Sequence, residues 1–131
     1  EFSLLGLVSV VAPVIVGGNS CIVLSSEENP MVSISFAEVL NTSDVPHGVV
    51  NILTGKRKEL ISHFASHKDV NSIIYCGDNN EEIKEIEKVS VENLKRVEIY
   101  KRKNWDNKTS QSPYFIEQFQ EIKTTWHPTE A

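Results

Sequence analysis

The sequence is short of several things, and each shortage excludes something. It holds two cysteines, Cys21 and Cys76, in 131 residues. That is too few for the disulfide framework of a small secreted domain. Both lie in apolar runs, so the expectation is a pair of free thiols buried as small hydrophobes in a reducing, cytoplasmic setting. There is no excess of positive charge: 13 Lys and Arg against 18 Asp and Glu leave a net charge of −5. Nucleic acid and an anionic membrane surface are therefore disfavoured as partners. There is also no long unbroken apolar run. Residues 2–18 are rich in apolar side chains, but Ser3, Ser9, Pro13, Gly17 and Gly18 interrupt them. The stretch is too short and broken for a membrane span, and Glu1 stands where a leader would carry basic residues. Repeats and low-complexity segments are missing. The four histidines (His47, His63, His67 and His127) show no metal-ligand spacing with the cysteines. His63 and His67 read as an i, i+4 pair on a helix surface.

What is present belongs to an ordinary globular chain. Hydrophobic residues make up 40% and charged residues 24%, which argues against disorder and allows one domain with a real core. Leu4 to Val16 reads as a helix apolar nearly all round, stopped by Gly17-Gly18-Asn19. Cys21 to Leu24 is a short apolar strand. A helix follows, with Pro30 in its first turn and Val32, Phe36, Val39 and Leu40 at helical spacing. Pro46-His47-Gly48 is a turn, and Val49 to Leu53 a second strand closed by Thr54-Gly55. Leu60, Ile61 and Phe64 sit on a helix ending near His67. Ser72 to Cys76 is a third strand. Residues 80–93 form a charged amphipathic helix that points Ile83, Ile86 and Val89 inward. Val97, Ile99 and Tyr100 make a fourth strand.

Strands alternating with helices imply a parallel sheet with right-handed crossovers. Strands that are apolar runs rather than strict alternations imply cover on both faces. The expected fold is thus α/β: a Rossmann-like parallel sheet with helices on both faces, plus a short C-terminal strand. Residues 1–100 form the sheet domain and residues 101–113 a polar, exposed loop. Residues 114–131 form a tail in which Tyr114 to Gln118 make a helical turn and Glu121 to Trp126 a strand. Trp105 and Trp126 are expected to pack loop and tail onto the sheet, with an interface anchor as the functional alternative. The sequence opens inside an apolar segment and so reads as a piece of a longer chain, with Glu1-Phe2 either native or a cloning remnant.

Several motifs resemble a known family. Ala12-Pro13 through Gly18-Asn19, then Val23-Leu24 to Glu27 and Pro30, are similar to the aldehyde dehydrogenase pattern "AP-x-L-x-x-GN-x-x-VLKPAE-x-x-P". Pro46 to Gly55 resembles that family's "PPGVVNVVTG". Ala65 to Val70 resembles "ASHPDV", and Asn93 to Val97 resembles "NLKRV". Four motifs in order and near-identical spacing are specific where any one alone would be weak, and they cover roughly residues 2–100. Phe119 to Thr125 resembles the family's C-terminal segment of type "YTEVKTV", which belongs to its oligomerisation arm. A whole catalytic domain would then be missing between Tyr100 and Tyr114. That arrangement resembles the degenerate second unit of the two-domain family-sixteen aldehyde dehydrogenases.

The resemblance also sets out what aldehyde oxidation would need: a thiol nucleophile, a general base, oxyanion donors and a bound nicotinamide dinucleotide. The family's nucleophilic Cys falls in the missing domain, and neither Cys21 nor Cys76 stands in a matching motif. Cys76, at a strand end before Gly77, would be reactive only if exposed beside a helix N-terminus. The "ELGGK" run that carries the base reads here Tyr100-Lys101-Arg102-Lys103-Asn104. A phenol with an ordinary pKa of about 10 is a poor base near neutrality. The oxyanion Asn falls at the position of Glu1. In the cofactor site, Leu24 replaces the ribose-binding Lys. Glu27 and Gly55 match the family and are vestigial cofactor-binding candidates. Arg57 and Ile61 fill later glycine positions. Asp78 replaces a pyrophosphate-binding Ser and would repel phosphate, with Lys56 and Arg57 offsetting part of that repulsion.

The resulting expectation is no catalysis, no metal, and no cofactor beyond weak NAD binding. The domain would instead bind a protein partner or itself, for instance a catalytic aldehyde dehydrogenase unit. The alternative is a cofactor-binding fragment of an NAD(P)-dependent enzyme whose catalytic residues lie outside this chain. The glycosylation patterns Asn41-Thr42-Ser43 and Asn107-Lys108-Thr109 are expected to be silent.

Overall fold

The structure is a computed structural model that describes residues 3–128. Its elements run α1 Ser3–Val16, β1 Cys21–Leu24, α2 Pro30–Asn41, β2 Val50–Leu53, α3 Arg57–Ser66, β3 Ser72–Cys76, α4 Asn80–Ser90, β4 Arg96–Tyr100 and a short α5 Phe115–Gln118. Single turns of 3-10 helix cover Val91–Asn93 and Lys108–Gln111. The strands pair in parallel as two ribbons: β1 with β2, Cys21 opposite Val50, and β3 with β4, Ser72 opposite Arg96. The alternation of strand and helix expected from the sequence is present in full, and the fold is α/β.

Local chemistry explains most of the boundaries. Pro30 opens α2, where its missing N–H costs nothing. Gly18, with φ of 82°, turns the chain out of α1 through a left-handed conformation that glycine adopts without strain. Asn79 caps α4, its side-chain oxygen accepting from the backbone N–H of Glu81 and Glu82. The expected helix over 80–93 tightens into 3-10 geometry after Ser90, and Leu94 then takes a left-handed conformation, φ 50°.

The β3–β4 ribbon is the centre of the molecule. In register, Ile73 and Tyr75 lie beside Val97 and Ile99, while Ile74 and Cys76 lie beside Glu98 and Tyr100 on the opposite face. The first face packs under α3 and α4, where Ile61, Tyr75, Ile83 and Ile86 form the buried cluster. On the second face Ile74 and Tyr100 meet Val10 and Pro13 of α1 together with Trp105, Phe115 and Phe119. Helices therefore cover both faces of this ribbon. The β1–β2 ribbon is less enclosed, with Ile22 and Leu53 keeping 51% and 43% of their surface in water.

Two family-like segments are physically tied. The buried Lys95 donates through its ammonium to the carbonyls of His67 and Val70. Asn93 Nδ2 donates to the Lys68 carbonyl at 2.6 Å. The 93–97 segment thus holds the 65–70 segment in place, and burial lowers the Lys95 pKa from its ordinary value, with Asp69 opposing.

Four expectations are corrected. Glu121 to Trp126 do not form a strand: residues 121–128 carry no regular structure and are exposed. A strand needs a neighbour for its N–H and C=O groups, and no ladder among the described residues provides one. Trp126 is 86% exposed, whereas Trp105 is buried. The loop 101–113 is not wholly exposed either, because Trp105 and Ser110 turn inward, with Ser110 Oγ donating to the Asn104 carbonyl at 2.6 Å. Finally, the cysteines are free, as expected, but Cys21 is only half-buried and Cys76 is exposed at its strand end. Glu1, Phe2 and residues 129–131 lie outside the described residues, and with them the oxyanion position at Glu1.

Ile86 is the most deeply buried large side chain of the core, 1% exposed. Ile86→Ala should cost about 2–5 kcal/mol by lost transfer energy plus the cavity left behind. Urea unfolding followed by circular dichroism would show a lower midpoint with an unchanged slope.

Candidate functional site

In an open α/β sheet, ligands collect beyond the carboxyl ends of the strands, where helix N-termini point outward. Here those ends are Leu24, Leu53, Cys76 and Tyr100, and the helices that follow the first three are α2, α3 and α4. Most of the sequence-derived positions meet in this region.

Glu27 follows β1, and Gly55 lies in the turn after β2. The fold brings these two segments together, and Glu27 Oε1 accepts a hydrogen bond of 2.6 Å from the backbone N–H of Arg57, the first residue of α3. The carboxylate therefore satisfies one of the orphan amides at that helix start. Gly55 sits close to α3: a Cβ there would come within 2.8 Å of Leu60 Cδ1. Leu24 is half-buried at the end of β1. Ile61, at one former glycine position, is 7% exposed inside the core cluster. Restoring a glycine there would empty part of the core.

Arg57 leads to a group that sequence reasoning missed. Its Nε lies 3.0 Å from Glu82 Oε2, an ion pair whose N–H is not aligned for a hydrogen bond. The guanidinium stands 5.6 Å above the Tyr75 ring centroid, and Tyr75 donates its hydroxyl proton to the same Glu82 oxygen at 2.5 Å. Burial first, and then the Glu82 hydrogen bond, push the Tyr75 phenol up to about 12. Gly77 is required beside it, since a Cβ there would fall 2.8 Å from the Tyr75 hydroxyl. Nothing in the spacing of 57, 75 and 82 announces this trio, because three different elements carry it.

At the start of α4, Asp78 is exposed and paired with Arg102, Nε to Oδ2 2.9 Å. The guanidinium holds the carboxyl below its usual range. Lys101 Nζ donates to Asn80 Oδ1 at 3.1 Å. Lys101 and Arg102, which replace an apolar residue and a glycine of the family pattern, thus reach back to the α4 start. The cap that Asn79 places on the amides of Glu81 and Glu82 is legible in the Asn-x-Glu-Glu spelling.

Tyr100 takes the position of the general base. Its hydroxyl donates to Gln118 Oε1 at 2.7 Å, and its ring meets Trp105 edge-on at 5.7 Å. Burial, then Glu98 and Cys76, raise the phenol to about 12, so it stays protonated near neutrality and donates rather than accepts a proton. Cys76 retains solvent-accessible surface, yet the protein packed round its sulfur pushes the thiol up to about 11, with Lys103 opposing. A thiol in that range is a poor nucleophile at neutral pH. Among the described residues, no group of three or more His, Cys, Asp or Glu could hold a metal ion, and no helix is long and apolar enough to cross a membrane.

The model of the aldehyde dehydrogenase family matches residues 1–99. The chain belongs to that family. It is 30% identical over 99 residues to hydroxyisobutyraldehyde dehydrogenase of Mycolicibacterium austroafricanum, covering 76% of this chain and 19% of that protein. Human retinaldehyde dehydrogenase 3 is 31% identical over 99 residues, with the same two coverages. Among solved structures, an aldehyde dehydrogenase from Bartonella henselae superposes with a TM-score of 0.66 at 29% identity, over 71% of this chain and 19% of that one. The chain therefore spans about one fifth of the length of these relatives. The family match ends at the last strand, one residue before Tyr100. The loop and tail, with Trp105, Phe115 and Phe119, lie beyond it.

Glu27→Ala should remove the acceptor from the first amide of α3. A loss of roughly 1 kcal/mol is expected, in the range of a helix cap. Thermal melts of the two proteins would report it, and equal midpoints would show that Glu27 does not hold the helix start.

Proposed function

We propose that this aldehyde dehydrogenase-family domain is non-catalytic and acts in assembly or partner binding. The observation that carries this reading is that two of the three helix starts beyond the strand ends, those of α3 and α4, already hold acceptors from the chain itself. The Arg57 amide goes to Glu27, and the amides of Glu81 and Glu82 go to Asn79. A dinucleotide pyrophosphate would need such amides, a close glycine-lined approach and no opposing carboxylate. Leu24, the core side chain Ile61 and the carboxylates of Asp78 and Glu82 do not fit that group. The base position supports the same conclusion, because the Tyr100 hydroxyl is a protonated donor to Gln118. The exposed apolar residues Ile22, Met31, Val39, Ile122 and Trp126 provide surface of the kind that protein partners cover.

A second reading has its own support. The relatives are named as dehydrogenases, and the chain spans 19% of their length. On that reading the chain is the cofactor-binding fragment of an NAD(P)-dependent enzyme whose catalytic residues lie outside it. The two readings separate on cofactor affinity.

Calorimetric titration of the full chain with NAD and with NADP should give no binding heat up to low-millimolar cofactor. Saturation in that range would sink the non-catalytic reading in favour of the second. Light scattering across a concentration series should show mass above the monomer if the partner is a second copy. A constant monomer mass would assign the surface to a different protein.

A further inference from the structure

In the segment after the family match, one cation lies among three aromatic rings beside the β3–β4 ribbon. Arg102 adopts a left-handed conformation, φ 47°, which folds the chain back at the end of β4. Lys103 is thereby returned over the strand end. Its Nζ lies 3.9 Å from the ring centroid of Tyr100, 3.9 Å from that of Phe115 and 5.2 Å from that of Trp105. The rings are not stacked. Tyr100 and Trp105 stand at 86° to each other, and Tyr100 and Phe115 at 48°. Tilted rings round one ammonium present their negative faces to it, the arrangement that holds organic cations in aromatic cages.

The three rings come from three places: Tyr100 from the last strand, Trp105 from the loop, and Phe115 from the start of α5. Lys103 is the group they share. The rest of the segment is held by few polar contacts. Asn19 Nδ2 donates to the Phe119 carbonyl at 3.3 Å, Gln120 Nε2 donates to the Gly17 carbonyl at 2.8 Å, and Tyr100 donates to Gln118. Phe119 itself is buried against α1. Residues 121–128 are exposed and without regular structure.

We propose that Lys103 and its three rings form a charge-dependent latch that holds residues 115–120 over the face made by α1 and β3–β4. Neutralising this one ammonium frees the segment and uncovers Val10, Pro13 and Ile74. The chemistry supports a role for charge rather than shape alone. Burial lowers the Lys103 pKa, which marks a cation partly stripped of water, and cation–π attraction strengthens as water is removed. Cys76 and Glu98 are the titratable groups that act on it besides the rings, both in the sense of retaining the proton. The latch is independent of whether the domain binds a cofactor.

Hydrogen–deuterium exchange on the full chain tests it. In Lys103→Gln, the amides of residues 115–120 should exchange faster by on the order of tenfold, the scale of one partly desolvated cation–π contact. Strand Ser72–Cys76 should keep its protection. Lys103→Arg, which retains the charge, should stay near the parent. Unchanged exchange at 115–120 in Lys103→Gln would overturn the latch, and so would equal opening in Lys103→Arg. If Lys103→Gln unfolds the chain, Phe115→Leu decides, since it keeps apolar bulk at the site and removes one ring face. Local opening at 115–120 supports the latch, and parent-like protection refutes it.

Discussion

A parallel ribbon of two strands has no stability of its own in water and must be covered on both faces. Everything around β3 and β4 answers to that requirement. The face carrying Ile73, Tyr75, Val97 and Ile99 is closed by α3 and α4 through Ile61, Ile83 and Ile86. The other face exposes Ile74 and Tyr100, and α1 alone does not finish it. Trp105, Phe115 and Phe119, from beyond the stretch that matches the family, complete the cover. The tail is thus part of the core's second wall as well as a terminal appendage. This is also why the expected C-terminal strand is not found. Residues 115–120 of the tail fold onto the ribbon, and residues 121–128 find no ladder to join among the described residues.

The same requirement gives the substitutions at family motif positions a physical account. Ile61 stands where a glycine is expected and contributes to the core beneath α3. Tyr100 stands where a carboxylate is expected and offers a ring to Trp105 and Phe115 and a hydroxyl to Gln118. Arg57 fills another glycine position with a cation set between Tyr75 and Glu82. Each change replaces an opening or a charge by a group whose partners lie within the chain. That pattern is why we favour a scaffold that has traded ligand contacts for internal ones over an enzyme fragment whose site merely awaits completion.

The backbone was largely legible in the sequence, and the site only in part. Pro30, Gly18, Gly55 and the apolar runs mark helix starts, turns and strands through local sterics and periodicity, which act over a few residues and can be read one window at a time. The third strand, Ser72 to Cys76, falls at the bounds its apolar run implies. Contacts between elements leave no such trace. Lys95 looks like one more surface cation in Asn93-Leu94-Lys95-Arg96-Val97, and its neighbour Arg96 is exposed, yet Lys95 is buried with its ammonium on the carbonyls of His67 and Val70. Strand alternation alone would not have chosen between the two. Trp105 and Trp126 are equally apolar on paper, and only the packing of the second face distinguishes the buried ring from the exposed one.

Glu27 shows why a matched residue is weaker evidence than a matched backbone. It occupies the family's position and keeps the family's chemistry, so the sequence makes it a cofactor contact. In the fold its carboxylate already bonds the first amide of α3, 30 residues away. A carboxylate and a phosphate are attracted to a helix start by the same partial charge, and one amide serves one strong acceptor well. For a ligand to take that amide, Glu27 would have to give it up and find another donor or water, so the ligand must overcome that internal bond as well as its own desolvation. The surviving residue can therefore oppose the ligand that its identity seemed to promise.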